Sequence, residues 1–189
     1  MIAFACASTD ERQFRAHAAR SIEVCAEDDS LLMRRHRSTP LDSAYNEMIA
    51  TAAERDDLEV LVLVHEGLTI ADRSFLSRIR GLLAAGDDVA VIGAGDETGA
   101  SEVAAVRGDL IVLSGWACSE LRVDPRFADS TDAATADLCF TARAGGKRVV
   151  AARFGIFRHP ALESPSSRRL RVRAGVALRR KWDLDSWIA

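Results

Sequence analysis

The sequence predicts an α/β fold: a mainly parallel, layered sheet with helices on both faces. Short apolar runs of strand length recur along the chain, at Ile2–Ala7 (IAFACA), Leu58–Val64 (LEVLVLV), Asp88–Gly93 (DVAVIG), Asp109–Ser114 (DLIVLS) and Lys147–Ala152 (KRVVAA). Between them lie segments whose apolar residues recur at helical spacing. Strands alternating with helices in this way build a parallel sheet covered on both sides. The 189 residues, 48% hydrophobic and 28% charged, match one globular domain large enough to bury a core.

Ile2–Ala7 is closed by Ser8, Thr9 and Asp10, side chains that cap helices, and the helix they start carries a weak apolar stripe of Phe14, Ala18 and Ile22. Ser21–Cys25 then reads as a second short strand, Glu27–Ser30 as an acidic turn and residues 33–40 as a basic, polar loop. Pro40 and Asp42 start a stronger helix, in which Leu41, Ala44, Tyr45, Met48, Ile49 and Ala52 share one face. Leu58–Val64 is almost continuously apolar, as suits a strand buried on both faces, and stops at His65, Glu66 and Gly67. A helix over about 72–85 places Phe75, Leu76, Ile79, Leu82 and Leu83 on one side. Residues 94–99 form a polar, Gly-rich loop; the surrounding GAGDETGA has neither the lysine nor the glycine spacing of a phosphate loop. A helix around Asp132–Ala144 ends at Gly145-Gly146, and Arg168–Trp182 predicts a terminal helix.

The net charge of −3 argues against a nucleic-acid partner, but it hides an asymmetry. Arg168, Arg169, Arg171, Arg173, Arg179, Arg180 and Lys181 put +7 into residues 168–181 with no acid among them, leaving 18 bases against 28 acids elsewhere. This tail admits three readings. It is a helix packing Leu170, Ala174, Ala177 and Leu178 on the domain, a patch resting on anionic lipid, or an assembly surface anchored by Trp182 and Trp187 that makes a homo-oligomer. Cys6, Cys25, Cys118 and Cys139 lie in apolar stretches without CxxC spacing, which predicts reduced, buried thiols in a cytoplasmic protein. Met1 leads straight into a strand, and no apolar run approaches the roughly 20 residues of a membrane span. The expectation is a cytoplasmic chain that meets a membrane only at its surface.

Ligands of such sheets sit beyond the carboxyl ends of the strands, which singles out Ser8 and Thr9, His65, Glu66 and Gly67, and the loop after Gly93. Five segments, in order, resemble the glycosyltransferases of family two, which have the GT-A fold. IAFACASTDE is similar to their first strand, SAYNEMIATA (Tyr45-Asn46 through Ala52) to a helix, and VLVLVHEGLTI to a strand running into a His-Asp-Asp motif. RVDPRFADSTDAATADLCFTARAGGKRVV is similar to their acceptor-side helix and next strand, and FRHP to the late histidine after it. The resemblance covers about residues 1–160 as a nucleotide-sugar-binding domain, with 161–189 as a basic helical tail.

The resemblance implies transfer of a hexose, with inversion, from a nucleotide-diphosphate donor to a hydroxyl acceptor. A divalent metal, manganese or magnesium, would neutralise the leaving diphosphate, and an aspartate would take the acceptor proton. Glu66 stands at the family's first metal-motif aspartate, Gly67 at the second, and His159 at the distal histidine; Glu66 and His159 are thus the implied metal ligands. Asp137 matches the second acid of the acceptor-side motif, while Thr135 occupies the first, where the base is expected. Asp137 and Asp132 are the remaining candidates for that base. Ser8, Thr9, Asn46, His65 and Glu66 are the implied donor contacts; Tyr45 and Met48 read as core, and Trp116 either lines the acceptor pocket or packs. Gly67 and Thr135 raise the alternative of a catalytically degenerate GT-A domain used as a nucleotide-binding or partner subunit.

Overall fold

The computed structural model describes residues 1–36, 40–95, 99–159 and 165–184. In chain order the strands are β1 (Ile2–Ser8), β2 (Leu31–His36), β3 (Val60–Val64), β4 (Leu68–Ile70), β5 (Val89–Ala94), β6 (Ser101–Glu102), β7 (Leu110–Ser114), β8 (Arg148–Ala152) and β9 (Ile156–Arg158). The helices are α1 (Glu11–Ala16), α2 (Ala18–Cys25), α3 (Leu41–Ala53), α4 (Phe75–Ala84), α5 (Gly115–Glu120), α6 (Thr131–Ala144) and α7 (Pro165–Trp182), with a 3-10 turn at Pro125–Phe127.

Seven strands form one sheet in the order β2-β1-β3-β7-β5-β8-β6. β2, β1 and β3 are parallel, and so are β5 and β8; β7 runs against both β3 and β5, and β6 runs against β8. Five strands therefore point one way and two the other: an α/β fold on a mostly parallel, mixed sheet. The reversed β7 sits in the middle of what the pattern predicts as parallel. β4 and β9 pair as a separate antiparallel ribbon.

Alternate residues of the sheet feed two cores. Ile2, Phe4 and Cys6 of β1 and Val60, Val62 and Val64 of β3 meet Phe14, Ile22, Phe75 and Ile79 from α1, α2 and α4. Ala3, Ala5, Leu61 and Leu63 point the other way, toward Tyr45, Met48 and Ile49 of α3, Cys118 of α5, Leu138 of α6 and Ala174 of α7. A strand whose successive side chains both enter a core has no polar position left, which is why these runs are unbroken. All four cysteines are free; Cys6, Cys118 and Cys139 are buried and Cys25 is half-buried. Burial pushes the thiols of Cys6 and Cys118 up to about 12, which leaves them unreactive.

Several local expectations are corrected. Ser21–Cys25 belongs to α2, because Ile22 stays in phase with Ala18 and both are buried against the sheet. Leu31–His36, with residues 33–36 expected as loop, is the edge strand β2. An edge strand tolerates charged side chains, and Arg34 lays its guanidinium 4.3 Å over the Phe14 ring. Residues 37–39 of the expected loop and 96–98 of the Gly-rich segment lie outside the described residues, as does Trp187. Leu170, expected to pack, is exposed, whereas Ala174, Ala177 and Leu178 do pack on the body. Among the described residues no helix is long and apolar enough to cross a membrane.

Candidate functional site

Because β1 and β3 are adjacent and parallel, their carboxyl ends bring Ser8, Thr9 and Asp10 beside His65 and Glu66. Glu66 is buried, and its carboxylate accepts three donors: the Thr9 N–H at 2.6 Å, the Thr9 hydroxyl at 2.7 Å and the Asp10 N–H at 2.9 Å. Burial by itself raises this carboxyl. The Asp10 N–H, the Thr9 hydroxyl, the nearby Ser8 hydroxyl and the Thr9 N–H outweigh burial and hold it below the ordinary glutamate value. Asp10 in turn caps α1, accepting from the N–H groups of Arg12 (2.8 Å) and Gln13 (3.1 Å). Ser8 is fully buried, and Arg34 reaches both its hydroxyl and the Glu11 carboxylate. Glu66 thereby fixes the turn from β1 into α1.

His65 accepts the Gly67 N–H at its own Nδ1 (3.1 Å), while its N–H donates to the Asp109 carbonyl (3.0 Å). Gly67 and His159 prolong the β4–β9 ribbon, the His159 N–H donating to the Gly67 carbonyl at 2.8 Å. The His159 ring stacks on His17, centroids 3.6 Å apart and planes 13° apart, with Nε2 3.2 Å from the Thr69 hydroxyl. Burial first, then His159 and Arg20, hold His17 below the ordinary histidine value. His17 occupies the break between α1 and α2, at φ −123° and ψ −76°.

On the opposite face of the sheet, Asp137 of α6 is 1% exposed. Its carboxylate accepts from Lys181 Nζ (2.8 Å to Oδ1, 2.9 Å to Oδ2) and from Trp182 Nε1 (2.7 Å). Lys181 also binds Asp124 at 2.9 Å. Burial lowers the Lys181 amine, but the two carboxylates outweigh it and raise it. Arg126 first, and Lys181 against burial, hold Asp124 far below the usual carboxylate range. The Trp182 ring leans on Phe140, and beside them lies a cavity of about 480 Å³. A general base must reach the proton it removes, and here the last turn of α7 lies over the acid. Thr135 is buried with its hydroxyl unpaired among the described residues. Asp132 is exposed in the first turn of α6 and accepts the Gly108 N–H at 3.2 Å. Asn46 grips the backbone of Val123 in both directions, at 2.7 and 3.0 Å, tying α3 to the chain ahead of the 3-10 turn. Trp116 packs at the rim of the core with Lys147 over its ring.

No protein-family model and no curated protein matches the chain. Among solved structures it is similar to A197 from STIV, with a TM-score of 0.63 and 13% identity over 85% of this chain and 86% of that one. It is also similar to a glycosyltransferase involved in the glycosylation of the major capsid of PBCV-1, with a TM-score of 0.43 and 9% identity over 62% of each chain. The likeness is one of fold. At 13% identity the first match shows the α/β architecture alone, and at its TM-score the second carries no argument about chemistry.

Of the implied residues, Ser8, Thr9 and Glu66 meet directly, His159 pairs with Gly67 next to them and stacks on His17, Asn46 holds Val123, and Asp137 is held by α7. A divalent ion does not fit Glu66 and His159 in this arrangement. The Glu66 oxygens face two N–H groups and a hydroxyl, whose positive ends would confront the ion, and His159 is stacked and engaged by Thr69. Among the described residues no three His, Cys, Asp or Glu side chains converge as ligands. An acidic side chain at Gly67 would be crowded, since a Cβ there would lie 3.0 Å from the His159 carbonyl oxygen and 3.2 Å from Gln13 Oε1. Gly67→Asp is therefore expected to cost about 1–3 kcal/mol by forcing the ribbon apart, with no gain in manganese affinity. Urea denaturation and calorimetry with manganese chloride check both halves; a fully stable variant that binds the ion contradicts them.

Proposed function

We propose that this chain is a glycosyltransferase-like domain of the GT-A type that keeps the framework of the donor end without metal-assisted transfer, and serves as a nucleotide-binding or partner subunit. The order of the motifs supports the type: Tyr45-Asn46 lies on α3, His65-Glu66-Gly67 follows β3, and Asp137 lies on α6. One observation supports the loss of transfer. Two of the three acids the reaction would use are already engaged by the protein itself, Glu66 by Thr9 and Asp10, and Asp137 by Lys181 and Trp182, while Asp132 is exposed and, among the described residues, accepts only the Gly108 N–H.

Calorimetric titration with UDP, GDP and their sugar conjugates, with and without manganese, tests this. The expected result is a nucleotide affinity that manganese leaves unchanged, with no sugar released from any donor. Tighter binding with manganese that disappears in a folded Glu66→Gln variant would overturn the proposal. A second reading keeps the enzyme, because the donors to Asp137 come from the last turn of one helix: with that turn displaced, the acid would face an acceptor.

A further inference from the structure

We propose that the outward face of α7 is a docking surface for an anionic lipid bilayer, a role independent of what the donor end binds. α7 carries two stripes. Ala174, Ala177, Leu178 and Lys181, spaced i, i+3, i+4 and i+7, face the body. Ala174 is buried, Ala177 and Leu178 pack on the core, and Lys181 is held by Asp124 and Asp137. Arg169, Val172, Arg173, Val176 and Arg180, spaced i, i+3, i+4, i+7 and i+11, make the other stripe, and all five are exposed. Val172 and Val176 are 65% and 46% exposed, framed by the three arginines. Pro165–Trp182 contains no acid at all, whereas acids outnumber bases in the rest of the chain.

Charge chooses the occupant. Arginines of this stripe can reach phosphate headgroups while their aliphatic stems and the two valines enter the acyl boundary. Nucleic acid would satisfy the arginines but leave the valines in water, and the stripe has no aromatic ring on which a base could stack. The acidic remainder of the molecule is repelled by the same surface, so one orientation is selected. Because the inner stripe is already clamped, the helix is formed before it binds and little ordering entropy is lost.

Co-sedimentation of the full chain with phosphatidylcholine vesicles, and with mixed phosphatidylserine–phosphatidylcholine vesicles, tests the proposal. Binding is expected to the mixed vesicles only, and to weaken as salt rises. The triple variant Arg169→Glu, Arg173→Glu, Arg180→Glu is expected to bind about a hundredfold more weakly. Val172→Ser with Val176→Ser should weaken binding while leaving its salt dependence intact. Arg12→Glu, Arg20→Glu, Arg73→Glu makes the same change in net charge at exposed arginines of other segments, and should bind like the parent. All these changes leave the packed side of α7 untouched, and circular dichroism verifies the fold. Absent or equal binding to the two vesicles overturns the proposal. So does a control triple that loses as much as the α7 triple, or tighter capture on a single-stranded oligonucleotide than on vesicles at equal phosphate concentration.

Discussion

Glu66→Ala is expected to lower the free energy of unfolding by about 3 kcal/mol, a large share of the stability of a domain this size. The carboxylate is buried and is the shared acceptor of the Thr9 N–H, the Thr9 hydroxyl and the Asp10 N–H. Removing it strands two backbone donors in the turn that aims Asp10 at the start of α1. Glu66→Gln keeps one acceptor oxygen but turns an amide toward the same donors, so it should fall between the two. The effect has a pH signature. The folded-state pKa of Glu66 lies below its unfolded value of about 4.3, so the carboxylate's contribution is complete above that value and is lost as pH falls through the folded pKa. Urea denaturation at pH 7 and pH 3 should therefore show a gap between the parent and Glu66→Gln that narrows in acid. If Glu66→Ala unfolds like the parent at pH 7, the carboxylate is not a brace and is free for a ligand.

That brace shows where one-dimensional reading stops. β1, β3, β5, β7 and β8 are legible because strands buried on both faces are written as unbroken apolar runs, and α3, α4 and α6 because their stripes keep helical phase. β2 is not, since LLMRRH is an edge strand whose two arginines break the apolar run, Arg34 lying over Phe14 and Arg35 pairing with Glu47. The direction of β7 is not legible either: LIVLS reads the same in both senses, and only its pairing with β3 and β5 reveals the reversal. β4, β6 and β9, of three, two and three residues, are too short to show a period. In the site, the position of Glu66 at a strand end is readable, but its partners come from 56 and 57 residues away through the β1–β3 pairing. His17 gave no signal, because nothing in ERQFRAHAARSI marks the break that turns it onto His159.

Asp137→Ala is expected to cost about 3 kcal/mol as well, for a different reason. Here the loss is of a buried carboxylate paired with a partly exposed amine: Trp182 Nε1 loses its acceptor, and Lys181, pulled toward the body by two carboxylates, is left with Asp124 as its carboxylate partner. The last turn of α7 should loosen, seen as faster tryptic cleavage after Arg179 and Arg180 under conditions in which the body stays folded. Asp137→Asn retains an acceptor for the indole and should lose about half as much. Combined with Lys181→Met it should fall short of the sum of the single losses by about 1–3 kcal/mol, as expected for groups in contact. The same variants decide between the two readings of this acid. Lys181→Met with Trp182→Phe removes both donors from the Asp137 carboxylate while its own side chain is untouched. Destabilisation without sugar transfer from UDP or GDP conjugates assigns Asp137 to clamping α7. Transfer that begins in that background, and that Asp137→Asn then abolishes, returns it to the role of the base and makes α7 the element that hides it.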